Sequence, residues 1–224
     1  MAENIFNHIP TSKETLERIR KALPSYINEK RLIHTLSVEK EALRLSEILF
    51  EYLGISKEYF SDISAAALLH DITKYYSLEK QLVICKENGI DVDKESMSNP
   101  AVLHSRTGAY IARKDFGIND TVFSAIFCHT TGKEDMNIFD KIIFIADYIE
   151  ETRTHTSCKA AREFFYSSLS KENNKLKLLD KTIMLSLDAT LSYLTETGSY
   201  IDSETIKARN FLLAEYTLQG SVQE

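Results

Sequence analysis

Hydrophobic residues along this chain recur at intervals of three and four positions, the spacing of one face of an α-helix. The longest such pattern covers residues 175–197 and predicts one amphipathic helix with a single buried stripe. The stripe consists of Leu176, Leu179, Ile183, Leu187, Leu191 and Leu194. Gly and Pro residues fall between the periodic stretches, which predicts about eight or nine helices joined by short connections.

Residue types that favour helix ends mark several boundaries. Thr11 followed by Glu14 fits a capping box, and Asn99-Pro100 fits an N-cap followed by proline at the first helical position. Glycine favours the position just after a helix, because it adopts a left-handed backbone conformation without strain. The glycines that suit helix ends are Gly54, Gly89, Gly117 and Gly198.

Two apolar runs, Gln81 to Cys85 and Ile142 to Ala146, contain β-branched residues and by composition also suit buried strands. Neither run has turn residues on both sides. The second continues without a break into Asp147 and the residues after it, as expected of a buried helix that emerges towards solvent. We therefore predict helices for both runs and an all-α fold.

Composition and charge exclude several classes of protein. The 224 residues are 43% hydrophobic and 27% charged, which is typical of a globular chain and not of a disordered or collagen-like one. The 27 basic and 33 acidic residues give a net charge of −6, which argues against non-specific nucleic-acid binding. Cys85, Cys128 and Cys158 are widely spaced and odd in number, so no disulfide framework is expected.

The compartment expected from the sequence is the cytoplasm. The longest stretch without a charged residue, Thr121 to Gly132, is shorter than the ~18 apolar residues that a membrane helix requires. Residues 1–10 lack the cationic and apolar pattern of a secretory signal. We expect no membrane contact, a small-molecule substrate and no non-specific nucleic-acid partner, while a homodimer is left open.

Histidines and aspartates supply the candidate chemistry. His70-Asp71 ends an apolar stretch, and His34, His104 and His129 lie in other predicted helices or at their ends. A single histidine is more often an ordinary hydrogen-bonded residue than a ligand. Asp147 differs, because a carboxylate directly after an apolar helix is costly to bury without a cation or a donor. Imidazole and carboxylate groups from facing helices are ligands for iron, zinc, manganese or cobalt.

The sequence resembles the HD-domain metal phosphohydrolases, specifically the YqeK type, over about residues 26–155 and more weakly to about 195. Five segments carry the resemblance: Arg31-Leu-Ile-His34, His70-Asp-Ile-Thr-Lys74, His104-Ser-Arg-Thr-Gly108, His129-Thr-Thr-Gly132 and Ala146-Asp-Tyr-Ile-Glu150. The resemblance implies a helical bundle with a metal site in its core. On this basis we expect an N-terminal helical extension (1–24), the HD domain (25–197) and a C-terminal helix and tail (198–224).

The resemblance also implies an activity, a cofactor and a set of site residues. The activity is symmetrical cleavage of diadenosine tetraphosphate to two ADP. The cofactor is a transition metal, iron first, with manganese, cobalt, nickel or zinc as alternatives. The implied metal ligands are His34, His70, Asp71 and Asp147. The implied nucleotide and phosphate contacts are Arg31, Lys74, His104, His129, Tyr148 and Arg153.

Physical reasoning from the residues points to the same class of chemistry. A bound cation supplies a nucleophilic water for phosphoanhydride hydrolysis, and Asp71 can orient that water. Arg31 lies three residues before His34, and Lys74 four after His70, so each shares a helical face with a proposed ligand. His104 and His129 suit phosphate contact and proton donation, although both can also bind a metal.

Other readings of the same residues stay open. The first alternative is an HD-type hydrolase that acts on another nucleotide. Cyclic dinucleotides are disfavoured as its substrate, because no Gly-Tyr-Pro follows a His-Asp pair. A di-iron bundle is less well supported, because the ligand segments lack a Glu-x-x-His repeat. The third alternative is a non-enzymatic nucleotide sensor.

Cys128 and His129 are adjacent in the sequence but do not suit a catalytic nucleophile and its base. Adjacent residues in a helix point about 100° apart, so the two side chains would not meet.

Overall fold

The structure is a computed structural model that describes residues 8–92, 97 and 100–221, with backbone only at 100 and 216–221. The described ranges contain ten α-helices and no strand, which confirms the all-α prediction. The helices are α1 (Lys13–Ala22), α2 (Glu29–Leu53), α3 (Phe60–Leu69), α4 (Leu78–Glu87), α5 (Pro100–Phe116), α6 (Asp120–Cys128), α7 (Ile138–Ile149), α8 (Thr156–Ser168), α9 (Lys175–Glu196) and α10 (Ser203–Ser221).

The first helix begins differently from its prediction. Ser12 is the N-cap of α1, and its hydroxyl accepts a hydrogen bond of 3.1 Å from the backbone N–H of Thr15. The capping box of Thr11 and Glu14 is therefore wrong. Thr11 instead donates its N–H and hydroxyl to the buried carboxylate of Asp62, which needs donors more than the exposed helix end does. Pro100 begins α5 as predicted, whereas Asn99 lies outside the described residues.

Glycines end helices at the predicted places. Gly54 follows α2 with a φ of 69°, a conformation that favours glycine over any L-residue. Gly132, after α6, has the same φ, and a Cβ added there would lie 3.0 Å from the Cβ of Ala208 in α10. The other predicted glycines also have positive φ values; they are Gly89, Gly117 and Gly198.

The core forms around α3, whose residues Asp62–Leu69 are all buried. Helices α1, α2, α6 and α7 pack around it. Phe50 of α2 and Phe139 of α7 are fully buried and meet with ring centroids 5.4 Å apart. Both apolar runs that also suited strands lie inside helices, α4 and α7. This packing brings the C-terminal end of α3 into the interior of the bundle.

The periphery of the bundle is formed by α8, α9 and α10. Helix α9 confirms the long predicted helix, with Leu179, Ile183 and Leu187 buried at its centre. The division at residues 24 and 197 stays a prediction. Side chains outside the predicted HD domain are also buried, including Ile19 before it and Ala208 after it. Within the described ranges, no helix combines the length and the apolar character needed to cross a membrane.

Candidate metal centre

Four imidazoles and two carboxylates converge beside the C-terminal end of α3. His70 and Asp71 follow α3 directly, and His129 follows α6 directly, so these side chains are presented where two buried helices end. The other three lie within helices: His34 in α2, His104 in α5 and Asp147 in α7. All six are buried except Asp147, which is partly exposed.

Four of these residues form one group. His34 Nε2 lies 3.0 Å from Asp147 Oδ1 and 3.7 Å from Asp71 Oδ2. His70 Nε2 lies 3.2 Å from Asp71 Oδ2 and 3.9 Å from Asp147 Oδ1. Ligands bound to one transition metal at about 2.0–2.2 Å lie roughly 3–4 Å from one another. The spacing of these four side chains therefore fits a single cation.

The second carboxylate oxygen of Asp71 faces a different pair of imidazoles. Asp71 Oδ1 lies 3.0 Å from His104 Nε2 and 3.9 Å from His129 Nε2, and these two nitrogens are 3.1 Å apart. Asp71, His104 and His129 thus form a second group of potential ligand atoms. Asp71 belongs to both groups, with Oδ2 facing His70 and Oδ1 facing His104.

The orientation of three imidazoles is set within their own helices. The Nδ1 atoms of His70, His104 and His129 donate to the carbonyl oxygens of the residues three positions earlier, at 2.7, 2.6 and 2.7 Å. A carbonyl oxygen only accepts, so each Nδ1 carries a hydrogen, and in the neutral ring Nε2 then presents a lone pair. A hydrogen bond at one ring nitrogen is how proteins orient a histidine whose other nitrogen binds a metal.

His34 is oriented by a distant carboxylate that the sequence analysis did not assign. Its Nδ1 lies 3.0 Å from Oε1 of Glu150, which is fully buried. Glu150 also accepts hydrogen bonds from the backbone N–H and the hydroxyl of Thr152, at 2.5 and 2.6 Å. The available signal was the i,i+3 spacing of Glu150 from Asp147, which places both acids on one face of α7 and its end.

The charge states of the cluster favour a cation. Burial, opposed only in part by Asp71, lowers the pKa of His104. Burial and the neighbouring His70 and His104 hold the pKa of His129 well below its ordinary value. Burial raises the pKa of Asp147, but Arg153 and His34 outweigh it, so the pKa lies well below its ordinary value. The imidazoles of His104 and His129 are therefore neutral near pH 7 and lie close to ionised carboxylates. Burial lowers the pKa of His34, but its hydrogen bonds with Asp147 and Glu150 outweigh burial and raise that pKa above its ordinary value.

Several potential ligand atoms lack a hydrogen bond although they are buried. They are His34 Nε2, His70 Nε2 and Asp71 Oδ1. A buried polar atom without a partner is costly, and these three point into the same cluster. Imidazole nitrogens and carboxylate oxygens are a ligand set suited to a transition metal, and the side chains present therefore fit such a cofactor.

Three predicted basic residues lie at the rim of this cluster. Arg31 donates to Asp71 Oδ2 at 2.8 Å, and Arg153 donates to Asp147 Oδ1 at 2.5 Å. Lys74 Nζ lies 3.2 Å from His104 Nε2. Their side chains are between 21% and 35% exposed, so each can contact the cluster and still be reached by a ligand from solvent.

Tyr148, the remaining predicted nucleotide contact, is partly buried next to Asp147 in α7, and its role stays a prediction. Burial raises the pKa of its hydroxyl, which interacts with Ser157, Cys158 and Thr190. Ser157 and Cys158 lie in α8 and Thr190 lies in α9, and Cys158 also interacts with Arg153 and Asp147. Neighbouring residues in a helix point about 100° apart, so adjacency to Asp147 does not place Tyr148 in the same site.

Comparison with known proteins gives a consistent set of relatives. A profile of the HD domain family matches residues 31–152. A Staphylococcus aureus protein named "Bis(5'-nucleosyl)-tetraphosphatase, symmetrical" is 33% identical, over 88% of this chain and 93% of its own length. A Halalkalibacterium halodurans protein with the same name is 29% identical, over 85% of this chain and 92% of its own.

A solved structure shares the fold as well. It is a Clostridium acetobutylicum protein described as a "predicted HD superfamily hydrolase involved in NAD metabolism". The TM-score is 0.77 at 31% sequence identity, and the match covers 89% of this chain and 97% of that chain.

Proposed function

This chain belongs to the HD domain family, and from that membership we propose that it hydrolyses bis(5'-nucleosyl) tetraphosphates symmetrically. Diadenosine tetraphosphate would give two molecules of ADP. The observation that carries the proposal is the buried convergence of four imidazoles and two carboxylates, with basic side chains at the rim. The names of relatives that align over most of this chain specify the substrate class.

His34, His70, Asp71 and Asp147 would hold the metal, and His104 with His129 would hold a second cation if one binds. Mixed imidazole and carboxylate ligands suit iron, manganese, cobalt, nickel or zinc, and we propose iron on the basis of the family resemblance. When bound, such a cation supplies the nucleophile by lowering the pKa of water, and it polarises phosphoryl oxygens.

Basic side chains would bind the polyphosphate. Arg31, Lys74 and Arg153 are partly exposed around the cluster, and the negative charge of a phosphoanhydride increases on its oxygens as the bond breaks. Their donors are held in place by Asp71 and Asp147 before the substrate arrives. Such preorganised donors stabilise the transition state more than freely reorienting water does.

Asp71, His104 and His129 are the proposed catalytic side chains. Asp71 can orient the attacking water through the oxygen that makes no hydrogen bond. The lowered pKa values of His104 and His129 make both imidazoles neutral near pH 7, and both lie beside Asp71, where they can contact a bound phosphate. Proton donation to the departing ADP stays a prediction.

We also propose that the enzyme acts in the cytoplasm, where nucleotides are its substrates.

The experiment is chromatography of diadenosine tetraphosphate digests together with metal analysis of the purified protein. Wild type is compared with Asp71→Ala and with Asp188→Ala, an exposed aspartate that pairs with Arg209. We expect ADP as the sole product from wild type and Asp188→Ala, and loss of both metal and activity in Asp71→Ala. Production of ATP and AMP contradicts symmetrical cleavage. Bound metal without turnover favours another nucleotide substrate or a sensor.

A further inference from the structure

The turn between α7 and α8 is held by one arginine. Arg162, in α8, donates from Nε to the carbonyl oxygen of Ile149 and from NH2 to that of Glu150. The same NH2 group donates to the carbonyl oxygen of Arg153 at 3.2 Å. The guanidinium group therefore binds three backbone acceptors within five consecutive residues.

This turn carries two side chains that contact the proposed metal ligands. Glu150 accepts from His34 Nδ1 at 3.0 Å. Arg153 binds Asp147 twice, through the carboxylate at 2.5 Å and the backbone carbonyl oxygen at 2.9 Å. Two of the four proposed ligands thus depend on residues whose backbone is bound by Arg162.

We infer that Arg162 is a positioning residue for the metal centre, acting through Glu150 on His34 and through Arg153 on Asp147. The inference rests on the metal site proposed above. Arg162 itself forms its hydrogen bonds with backbone oxygens of the turn and not with the cluster, so its effect is on the placement of ligands and not on substrate contact.

The chemistry of the turn explains why an arginine suits this position. The last carbonyl groups of a helix have no partner within the helix, and Ile149 and Glu150 stand at the end of α7. A planar guanidinium group offers several donors in fixed directions, so one side chain can bind several oxygens at once. A lysine would retain the positive charge at this helix end but not that fixed arrangement of donors.

Burial makes the position of the turn matter for His34. Glu150 is fully buried, and Thr152 from the same turn supplies two of its hydrogen bonds. A shift of the turn would separate the carboxylate from its hydroxyl donor, from His34, or from both. His34 would then lose the partner that keeps its hydrogen on Nδ1 and its Nε2 directed at the cluster.

The test measures metal binding and the state of His34, independently of any substrate. The variants are Arg162→Gln, Arg162→Lys, Glu150→Gln and the double variant Arg162→Gln/Glu150→Gln. Arg18→Gln is the matched control, because Arg18 also donates to a carbonyl oxygen in the last turn of a helix, that of Asp115 at 3.0 Å. Co²⁺ dissociation constants are measured by calorimetry on metal-free protein, and histidine ¹⁵N shifts by NMR.

We expect Arg162→Gln to weaken Co²⁺ binding about 10-fold, the usual effect of losing an outer-shell partner, and Arg162→Lys to recover part of the loss. The double variant should lose less than the product of the two single effects, because both act on His34. Arg18→Gln should bind Co²⁺ within about 2-fold of wild type, as expected for a residue far from the site. In metal-free Arg162→Gln the ¹⁵N shifts of His34 should move.

Unchanged Co²⁺ affinity in Arg162→Gln, or independent effects of Arg162 and Glu150, would overturn the inference. An equal loss in Arg18→Gln would show a general effect of weakened helix ends and would overturn it as well. If wild type binds no Co²⁺, the proposed metal site fails. The role of Arg162 is then decided by the NMR spectra, where unchanged His34 shifts in Arg162→Gln reject it and moved shifts support it. If Arg162→Gln does not fold, Arg162→Lys is judged by the same measurements.

Discussion

Asp71 Oδ1 lies 3.0 Å from the Nε2 atom of His104, and both atoms are hydrogen-bond acceptors. The Nδ1 hydrogen of His104 is used by the carbonyl oxygen of Ala101, and its lowered pKa keeps the ring neutral near pH 7. Two acceptors at this distance repel each other unless a cation or a proton lies between them. Lys74 Nζ lies 3.2 Å from His104 Nε2 and 3.8 Å from Asp71 Oδ1, and this partly exposed ammonium group offsets only part of the repulsion. The contact therefore favours metal binding at the expense of the stability of the metal-free protein.

This relationship predicts an unusual result for Asp71→Asn. The amide group can donate a hydrogen bond to His104 Nε2, so we expect the metal-free variant to unfold at the same temperature as metal-free wild type or at a higher one. Without the carboxylate, it should lose bound metal and at least about 100-fold in turnover. Thermal unfolding with and without a chelator checks both parts, and a chelator should lower the melting temperature of wild type only. Destabilisation of the metal-free variant would contradict this account of the contact.

His104→Ala and His129→Ala should separate turnover from metal retention. Neither residue is among the four proposed ligands His34, His70, Asp71 and Asp147, so we expect one bound metal per chain in both variants. His129 is the stricter test, because it also forms a group of potential ligand atoms with His70 and Asp147. Turnover should fall about 100-fold, because each variant loses a side chain proposed for proton transfer or phosphate contact. Metal analysis and steady-state rates on the same preparations measure the two quantities. Loss of this metal in either variant would assign the altered histidine to the ligand set.

The three cysteines should be unreactive in the folded protein. Burial raises the pKa of the thiols of Cys85, Cys128 and Cys158, so at pH 8 the fraction of reactive thiolate falls below that of a free cysteine. An aromatic disulfide reagent should label no thiol at pH 8 and three thiols after denaturation. Ser192→Cys, at an exposed position of α9, is the control and should react at once. A native thiol that reacts as fast as this control would contradict the prediction.

Asp62→Ala should destabilise the fold without affecting the metal centre. The buried Asp62 carboxylate accepts hydrogen bonds from the backbone and hydroxyl of Thr11 and from the side chains of His8 and Asn119. Its removal leaves several donors without their acceptor, and we expect a loss of about 2–4 kcal/mol in the free energy of unfolding in urea. Asp188→Ala, which removes an exposed ion pair, should cost less than about 1 kcal/mol. If Asp62→Ala also lowers the free energy of unfolding by less than about 1 kcal/mol, the contacts of residues 8–12 with Asp62 contribute little to stability.

The helices and most of the cluster were accessible from the sequence because their signals are local. Periodic apolar residues, the glycines at helix ends and the His70-Asp71 pair after an apolar helix each depend on neighbours within a few positions. The capping-box prediction at the first helix is wrong for the same reason. Local sequence does not distinguish Thr11 from Ser12, because both residues are suitable N-caps. Only the distant Asp62 decides between them, and it binds Thr11.

Residues that act through long-range contacts escaped the sequence analysis. Glu150 meets His34 across 116 positions, and its i,i+3 spacing from Asp147 does not identify His34 as its partner. Arg162 resembles any basic residue on a helix until its three carbonyl partners are seen. The nucleotide contact of Tyr148, which rests on the family resemblance and on adjacency to Asp147, stays a prediction, because its hydroxyl interacts with residues of α8 and α9.

The hydrogen bonds of the four imidazoles differ in how early they can form during folding. Those of His70, His104 and His129 close within a single helical turn, so they can form as soon as their helices do. That of His34 requires α2 to meet the end of α7, a long-range contact whose loop-closure cost must be met first. A partly folded chain would therefore have three oriented imidazoles and an unoriented fourth. High-affinity cation binding would then mark the last stage of folding, when His34 of α2 has met Glu150 at the end of α7.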